Sequence, residues 1–430
     1  MANRYKPISH SMYIDLGGPM KFGLLGRTLG HSYSPRIHGA LGNPHYELFE
    51  REPSQLQAFF ADPELKGINI TIPYKVNALE ACDVVDPRAE RIGCVNTMVR
   101  KDEKWYGYNT DYDGFVFTLN HAGIDVSNKD CIILGDGASS ATVHVALEDL
   151  GAKSIVHLSR KTAPFYGDAP NYYKTAQIII NCTPIGMYPH NPANLIDITQ
   201  FTKLEGVVDL IYNPRRTILL LQAEMMDIPH CDGLPFLVAQ GVEAANHFQD
   251  ESFGTKEIEQ ILRDMRREKE NIILIGMPGV GKTTVGKAIG EAMGRPWIDA
   301  DQELEKEIGD ISTYITEQGE PAFREKETEV IAKLGTQTGL VISTGGGCVT
   351  ILQNYAHLRQ NGRIYQLTQP IENLSTSGRV LSSGGLERLR ELEEIRTPMY
   401  ESFAQCIVEH NRNAPETVAT ILEDFEANLL

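Results

Sequence analysis

Residues 276–284 read Gly-Met-Pro-Gly-Val-Gly-Lys-Thr-Thr, a complete G-x-x-x-x-G-K-[ST] pattern. It follows the apolar run Ile272–Ile275 and precedes a helical stretch, Val285–Met293, which is the strand–loop–helix setting the pattern requires. In such a loop the backbone N–H groups of Gly279, Val280 and Gly281 turn toward phosphate oxygens, and the helix start adds positive potential. Lys282 then meets the β- and γ-phosphates of ATP, the Thr283 hydroxyl takes a place on Mg²⁺, and Thr284 sits in the same turn. Phosphoryl transfer also needs an acceptor site. Asp299 and Asp301 stand at i and i+2 where the next strand ends, so their carboxylates share a side. One can serve Mg²⁺ and the other can take a proton from an attacking hydroxyl. Arg324 lies at the start of a helix within Gly319–Glu327, and Arg396 opens Arg-Thr-Pro-Met-Tyr. Between them Gly345, Gly346 and Gly347 follow the strand Leu340–Ile342 and permit close backbone approach to a ligand.

A second nucleotide signal begins at Cys131–Leu134, a strand that runs into Gly135, Gly137, Ala138 and Ser139. This is the strand–turn–helix of a dinucleotide site, with Ser140 at the third glycine position. The next strand ends in Ser159, Arg160 and Lys161. NAD sites place an acid there for the ribose hydroxyls, whereas a basic pair suits the 2′-phosphate of NADP. Upstream lie compact polar blocks. Ser32 and Ser34 open a helix, and their hydroxyls suit a polyol or a carboxylate. Thr71 closes a strand and Lys75 starts the helix after it. Asn96 with Thr97, and Asn109 through Asp111, follow; a later block runs from Asp232 to Gln240.

These residues need elements to hold them. Up to Ile92 short apolar runs (Phe22–Leu25, Glu47–Glu50, Ile68–Ile72) alternate with helical stretches (Pro35–Leu41, Ser54–Phe60, Lys75–Ala81), a β-α-β rhythm that predicts a parallel α/β sheet. A second series runs through Cys131–Leu134, Ile155–Leu158, Ile178–Asn181 and Val207–Leu210, and a third begins at Ile272–Ile275. Residues 255–270 are charged and helical in pattern, with Ile258, Ile261, Leu262 and Met265 on one face. The 430 residues suffice for two to four domains. A formal net charge of −17 argues against a nucleic-acid or anionic-membrane partner, while leaving local basic pockets for small anions. Seven cysteines without CxxC spacing argue against a disulfide scaffold or a zinc site and fit the cytoplasm. Residues 1–19 lack the apolar core of a signal peptide and read as an N-terminal extension.

From residue 271 onward the order P-loop, D-x-D, FR-x-x-E, GGG and R-x-P-x-Y resembles the shikimate kinase family. The resemblance implies a nucleoside monophosphate kinase-like parallel-sheet domain over 268–430. It makes Asp301 the base on the acceptor hydroxyl and leaves Asp299 with Thr283 for the metal. Arg324, Arg396, Gly346 and Gly347 become the shikimate pocket. Arg379 becomes the lid arginine and Arg412 lies on the adenine side. The lid departs from the family pattern: Val380 stands where proline is usual, and residues 376–385 are short and rich in serine and glycine.

Residues 21–267 resemble the shikimate dehydrogenase family, with S-x-S-P-x-x-H and V-N-T…N-T-D in the expected order. This implies a substrate-binding α/β domain over 20–118 and 235–267, and a Rossmann-like NADP domain over 119–234. By the resemblance Ser32, Ser34, Thr71, Lys75, Asn96, Asp111, Tyr212 and Gln240 bind the substrate. Gly135, Gly137, Ala138, Ser139, Ser159, Arg160, Lys161, Thr183 and Gly233 bind the cofactor. Hydride attack on a ketone builds negative charge on its oxygen, so a cation with a transferable proton must lie there. Lys75 can supply both, oriented by Asp111.

The combined expectation is a bifunctional enzyme. One half reduces 3-dehydroshikimate to shikimate with NADPH; the other phosphorylates shikimate with ATP and Mg²⁺, with Lys282 and Asp301 as its catalytic residues. The alternative is a quinate/shikimate dehydrogenase fused to a weakly active or regulatory kinase-like module. A homodimer is compatible with either.

Overall fold

A computed structural model describes residues 20–30, 32–189, 191–374, 385–411 and 413–430. The extension at 1–19, Arg379 and most of its lid, and Arg412 lie outside the described residues. The chain divides into two compact units, the first ending at Leu262 and the second running from Arg263 to Leu430.

The first unit opens with β1 (Lys21–Gly26), α1 (Ser34–Ala40), β2 (Tyr46–Glu50), α2 (Leu56–Phe60), β3 (Leu65–Ile70) and α3 (Lys75–Ala81). There follow β4 (Val84–Val85), α4 (Pro87–Ile92), β5 (Thr97–Lys101), β6 (Lys104–Tyr108) and α5 (Asp111–Ala122). The strands form one sheet in the order β2-β1-β3-β5-β6-β4. It is not the wholly parallel sheet that the opening rhythm predicts, because β5 runs antiparallel to both β3 and β6. The β5–β6 hairpin turns at Asp102 and Glu103, both at positive φ. An Asp-Glu turn lacks the usual Asn-Gly signature, and Arg100 to Lys104 is too polar to read as paired strands. Leu25, Leu65, Ile68, Tyr74 and Met98 fill the core of this lobe.

A second sheet is built from β7 (Asp130–Leu134), β8 (Ser154–Leu158), β9 (Ile178–Asn181), β10 (Gly206–Asp209) and β11 (His230–Cys231). Its order is β11-β10-β9-β7-β8, parallel throughout. The unbroken Ile-rich runs of β7 and β9 are what a strand covered on both faces requires. Helices α6 (Ala138–Asp149) and α7 (Ile218–Met225) belong to this sheet. The chain then returns through α8 (Leu234–Gln249), which packs on α1, α5, β3 and β5, and continues into α9 (Thr255–Lys269). The sequence places Ile258, Ile261, Leu262 and Met265 on one face of α9, and all four are buried.

The second unit contains β12 (Asn271–Gly276), α10 (Lys282–Met293), β13 (Trp297–Asp299), α11 (Ala300–Ile308), α12 (Ile311–Gln318), α13 (Glu320–Gly335) and β14 (Val341–Ser343). It closes with α14 (Gln353–Arg359), β15 (Gly362–Thr368), α15 (Gly385–Phe403), β16 (Cys406–Glu409) and α16 (Ala414–Ala427). The parallel sheet is ordered β13-β14-β12-β15-β16. Every residue of β12 is buried, so the loop that leaves it starts from the rigid centre of the domain.

One buried carboxylate ties the second sheet to its loops. Asp209, at the end of β10, is fully buried. It accepts hydrogen bonds from Asn181 Nδ2 (3.0 Å), the Ile211 N–H (3.0 Å) and the Thr217 hydroxyl (2.7 Å). Burial pushes its carboxyl up to about 7, against those donors. Asp209→Ala leaves three buried donors without an acceptor, and the expected loss is about 2–4 kcal/mol. Thermal or urea unfolding of the variant checks it: a midpoint equal to wild type would mean that the network contributes nothing.

Candidate active sites

In the first unit the helix starts carry the polar groups. Lys75 is the first residue of α3 and Asp111 the first of α5. Lys75 Nζ lies 2.5 Å from Asp111 Oδ2, with side-chain exposures of 12% and 6%. Burial lowers the lysine, but the facing carboxylate outweighs it and holds the ammonium above its ordinary value of 10.5. Below them runs a buried polar lattice. Thr110 N–H donates to Asn96 Oδ1 (2.8 Å), and Asn96 Nδ2 donates to the Thr110 hydroxyl (3.1 Å). Asn69 Nδ2 donates to the Thr97 hydroxyl (3.0 Å), and the Tyr46 hydroxyl donates to Asn69 Oδ1 (2.6 Å). His38 stacks on Tyr46 with ring centroids 4.0 Å apart. Burial drives that imidazole down to about 3, so it is neutral and supports packing.

The remaining expected residues make contacts of their own. The Ser32 hydroxyl donates to Ser34 Oγ (3.2 Å). Tyr33 sets its ring 5.5 Å from that of Tyr212, placing the loop after β10 beside the Ser32–Ser34 turn. Gln240 packs against Gly114, one turn along α5 from Asp111, where a larger residue would meet its Cβ. Thr71 caps β3 through its N–H to the Leu25 carbonyl (2.9 Å).

Two of the cofactor candidates, Gly135 and Thr183, meet where β7 and β9 end. Gly135 lies against Ser140 and Thr183, and Asn181 Oδ1 accepts from both the N–H (3.0 Å) and the hydroxyl (2.8 Å) of Thr183. Gly233 leaves no room for a side chain, because a Cβ would run into the Leu210 backbone. Gly137 is exposed, with Ala138 and Ser139 half-buried after it. Ser159 departs from the expected role. It is buried and its hydroxyl is consumed within its own turn, accepting from the N–H groups of Lys161 (3.2 Å) and Thr162 (2.9 Å). That turn leaves Arg160 and Lys161 exposed, which suits a 2′-phosphate.

In the second unit the loop after β12 carries positive φ at Gly279 and Gly281, and Val280 is buried beneath it. Lys282 Nζ donates to the carbonyls of Gly276 (2.8 Å) and Met277 (3.0 Å), which centres the ammonium on the loop. Thr283 donates to Asp299 Oδ2 at 3.1 Å, while Thr284 points outward. Two converging oxygens suit Mg²⁺, which takes one or two protein ligands and completes its shell with water and phosphate. Asp301 N–H donates to Asp299 Oδ1 (3.1 Å).

The three glycines are hemmed in by site residues. A Cβ on Gly345 would meet Asp301 Oδ1 and Glu327 Oε1, one on Gly346 would meet Pro278 of the phosphate loop, and one on Gly347 would meet the Arg324 guanidinium. Arg324 pairs with Glu327 (2.7 Å) and Glu320 (3.0 Å). Arg396 Nη1 (3.2 Å) and the Tyr400 hydroxyl (2.5 Å) both donate to the Gly346 carbonyl. The expected site residues did not include Glu327 and Tyr400, although i+3 from Arg324 and i+4 from Arg396 put them on the same helix faces. Burial raises the Glu327 carboxyl, Arg324 opposes, and Asp301 adds to the rise. Among the described residues no group of three His, Cys, Asp or Glu side chains could hold a metal on its own, and no helix is long and apolar enough to cross a membrane.

Comparison with known proteins places both units. Residues 24–98 match the family model described as shikimate dehydrogenase substrate binding domain, and residues 278–426 match that of shikimate kinase. A shikimate dehydrogenase (NADP(+)) of Clostridium beijerinckii is 37% identical over 250 residues, spanning 53% of this chain and 92% of that protein. The crystal structure of shikimate dehydrogenase 1 from Peptoclostridium difficile is 32% identical with a TM-score of 0.52, covering 57% of this chain and 98% of its own. That of shikimate 5-dehydrogenase from Thermus thermophilus, in complex with NADP(H) and shikimate, is 27% identical with a TM-score of 0.51, covering 57% and 99%. With Lys75, Asp111 and the glycine turn of one unit, and the phosphate loop and glycine triplet of the other, these matches make the chain a member of the shikimate dehydrogenase family that carries a shikimate kinase domain in its second half.

Proposed function

We propose that the chain performs two consecutive steps on one small cyclic acid: NADPH-dependent reduction of 3-dehydroshikimate to shikimate, then ATP-dependent phosphorylation of shikimate at its 3-hydroxyl. The buried Lys75–Asp111 pair carries the first reading, because it sets a protonated ammonium among side chains built to hold hydroxyls. When bound, NADPH supplies the hydride and ATP with Mg²⁺ the phosphoryl group. The protein's share is orientation and charge. Lys75 faces the ketone oxygen, stabilises the charge that grows there and gives up its proton to it. Asp111 keeps that ammonium charged and in place. Ser32, Ser34, Thr71, Asn96, Tyr212 and Gln240 hold the ring substituents, and Arg160 with Lys161 selects the 2′-phosphate.

In the kinase unit Arg324 and Arg396 hold the carboxylate, and Gly346 and Gly347 bring backbone against the ring. Asp301 accepts the proton of the attacking hydroxyl. Lys282 and the loop N–H groups neutralise the phosphates, and Thr283 with Asp299 holds the metal. Arg379 and Arg412 are proposed for the lid and the adenine side. The proposed domains are 20–118 with 235–267 for substrate, 119–234 for cofactor and 268–430 for the kinase; the return of α8 onto α1 and α5 supports the split first domain. None of the seven cysteines is joined in a disulfide, which suits the reducing cytoplasm proposed for it. A homodimer completes the proposal, and sedimentation of the purified chain decides it.

Each site is expected to fail alone. Lys75→Ala should lower NADPH oxidation with 3-dehydroshikimate by roughly a hundred- to ten-thousandfold and leave phosphorylation of shikimate intact. Asp301→Asn should do the reverse, by a similar factor. Coupled assays of both activities on each variant check this, and loss of both from one substitution in a folded chain would end the two-site reading.

The ion pair also sets a pH limb. The lysine value is raised, so its proton is present at neutral pH and is lost only as pH climbs past 10.5. Asp111→Asn removes the opposing charge and leaves burial to lower the lysine. The alkaline fall in reduction rate should therefore move below that of wild type. Rate profiles under saturating substrates read it; superimposable profiles would mean that Asp111 does not tune the lysine.

A further inference from the structure

A pair of histidines lies behind the glycine turn of the first unit, in neither proposed site. His157 is the fourth residue of β8 and His144 lies on α6. His157 Nδ1 is 3.2 Å from the carbonyl oxygen of Gly135, the residue at which β7 enters the cofactor turn. His157 Nε2 is 2.9 Å from His144 Nδ1, and His144 Nε2 is 3.4 Å from Glu148 Oε1. Glu148 in turn pairs with Arg91 of α4 at 2.8 Å. The charged groups that face the pair are thus Glu148, backed by Arg91, on the His144 side and Asp136 of the turn on the His157 side.

Elementary chemistry assigns the protons. A carbonyl only accepts, so His157 Nδ1 carries the hydrogen toward Gly135. Neutral His157 then presents a lone pair at Nε2, which accepts from His144 Nδ1–H. The remaining nitrogen of His144 faces the Glu148 carboxylate. One arrangement fulfils both contacts of His157: a neutral ring with its Nδ1–H on Gly135 and its Nε2 accepting from His144 Nδ1–H. A second proton would turn two N–H donors against each other and break the link. The Gly135 N–H is already given to the Leu158 carbonyl at 2.9 Å, so the glycine is held to β8 from both sides of its peptide only while His157 donates.

We propose that His157 is a positioning residue for the dinucleotide, holding the Gly135 carbonyl so that the turn keeps its cradle shape, and that His144 fixes the tautomer in which it does so. The inference rests on the dehydrogenase reading for the identity of the cofactor, but not on turnover. Burial lowers His157 from the ordinary 6.5, the neighbouring His144 adding to it against the Gly135 carbonyl and Asp136, so the neutral donor persists through neutral pH.

The test titrates NADPH into the full-length chain by nucleotide fluorescence and measures KM for both substrates. His157→Phe keeps a ring but deletes the donor, and should raise the Kd and KM for NADPH roughly three- to tenfold with KM for 3-dehydroshikimate unchanged. His157→Asn places an amide N–H near the Nδ1 position and should restore binding to within about twofold of wild type. An unchanged Kd in the phenylalanine variant, or no restoration by asparagine, would overturn the proposal. Turnover without a Kd shift sinks this inference alone; a Kd shift without turnover sinks the reductase reading and leaves the inference standing; no NADPH binding sinks both.

Discussion

A charge taken out of water must find its counter-charge within the fold, and both sites are organised by that requirement. Lys75 with Asp111, and Arg324 with Glu327, are buried ion pairs whose members arrive from helix starts or from successive turns of one helix. Removing one partner from such a pair leaves an uncompensated buried charge, which is far costlier than losing a surface contact. The backbone around each pair is therefore constrained to keep the partners together. In the first unit that constraint fixes where α3 leaves β3 and where α5 leaves β6. In the second it fixes α13 against the glycine triplet.

The remaining site residues follow from strand geometry. In an open parallel sheet the loops at the carboxyl ends of the strands gather on one edge, and ligands bind there. Thr183 after β9 and Gly135 after β7 share such an edge in the first unit. Pro278 after β12, Asp299 at the end of β13 and Gly346 after β14 share one in the second. Each of these sets lies within one unit.

Buried polar networks complement the ion pairs. Asp209 holds the loops after β9 and β10 through three donors, and the Asn69–Asn96–Thr97–Thr110 lattice holds the ends of β3, β5 and β6. Such networks are worth more than their individual bonds because each member would be left unsatisfied by the loss of another. Asn96, proposed to hold the substrate, is itself a member, so the lattice sets the position of a ligand-facing residue directly.

Much of this was legible from the residue order. The phosphate loop, the paired carboxylates, the glycine triplet and the Ser–Ser, Asn–Thr and Asn–Thr–Asp blocks are local patterns. The phosphate loop and the carboxylate pair are read from spacings of a few residues, within which the backbone period is known; the polar blocks take their meaning from the family resemblance. Other features were not legible. The β5–β6 hairpin lacks turn residues that announce it. Ser159 reads as a cofactor contact until its hydroxyl is seen to be spent on its own turn. Glu327 and Tyr400 sit at helical spacing from predicted arginines, but spacing alone does not say that the shared face is the one turned inward. His144 and His157 are thirteen positions apart on different elements, and Asp209 meets Asn181 across a strand pair. The sequence by itself therefore determined the kinds of chemistry, through local motifs whose geometry is set by the chain's own periodicity. Only the tertiary structure decided which charges are desolvated, which polar groups exhaust each other and which remain for a ligand, because those depend on packing between residues far apart along the chain.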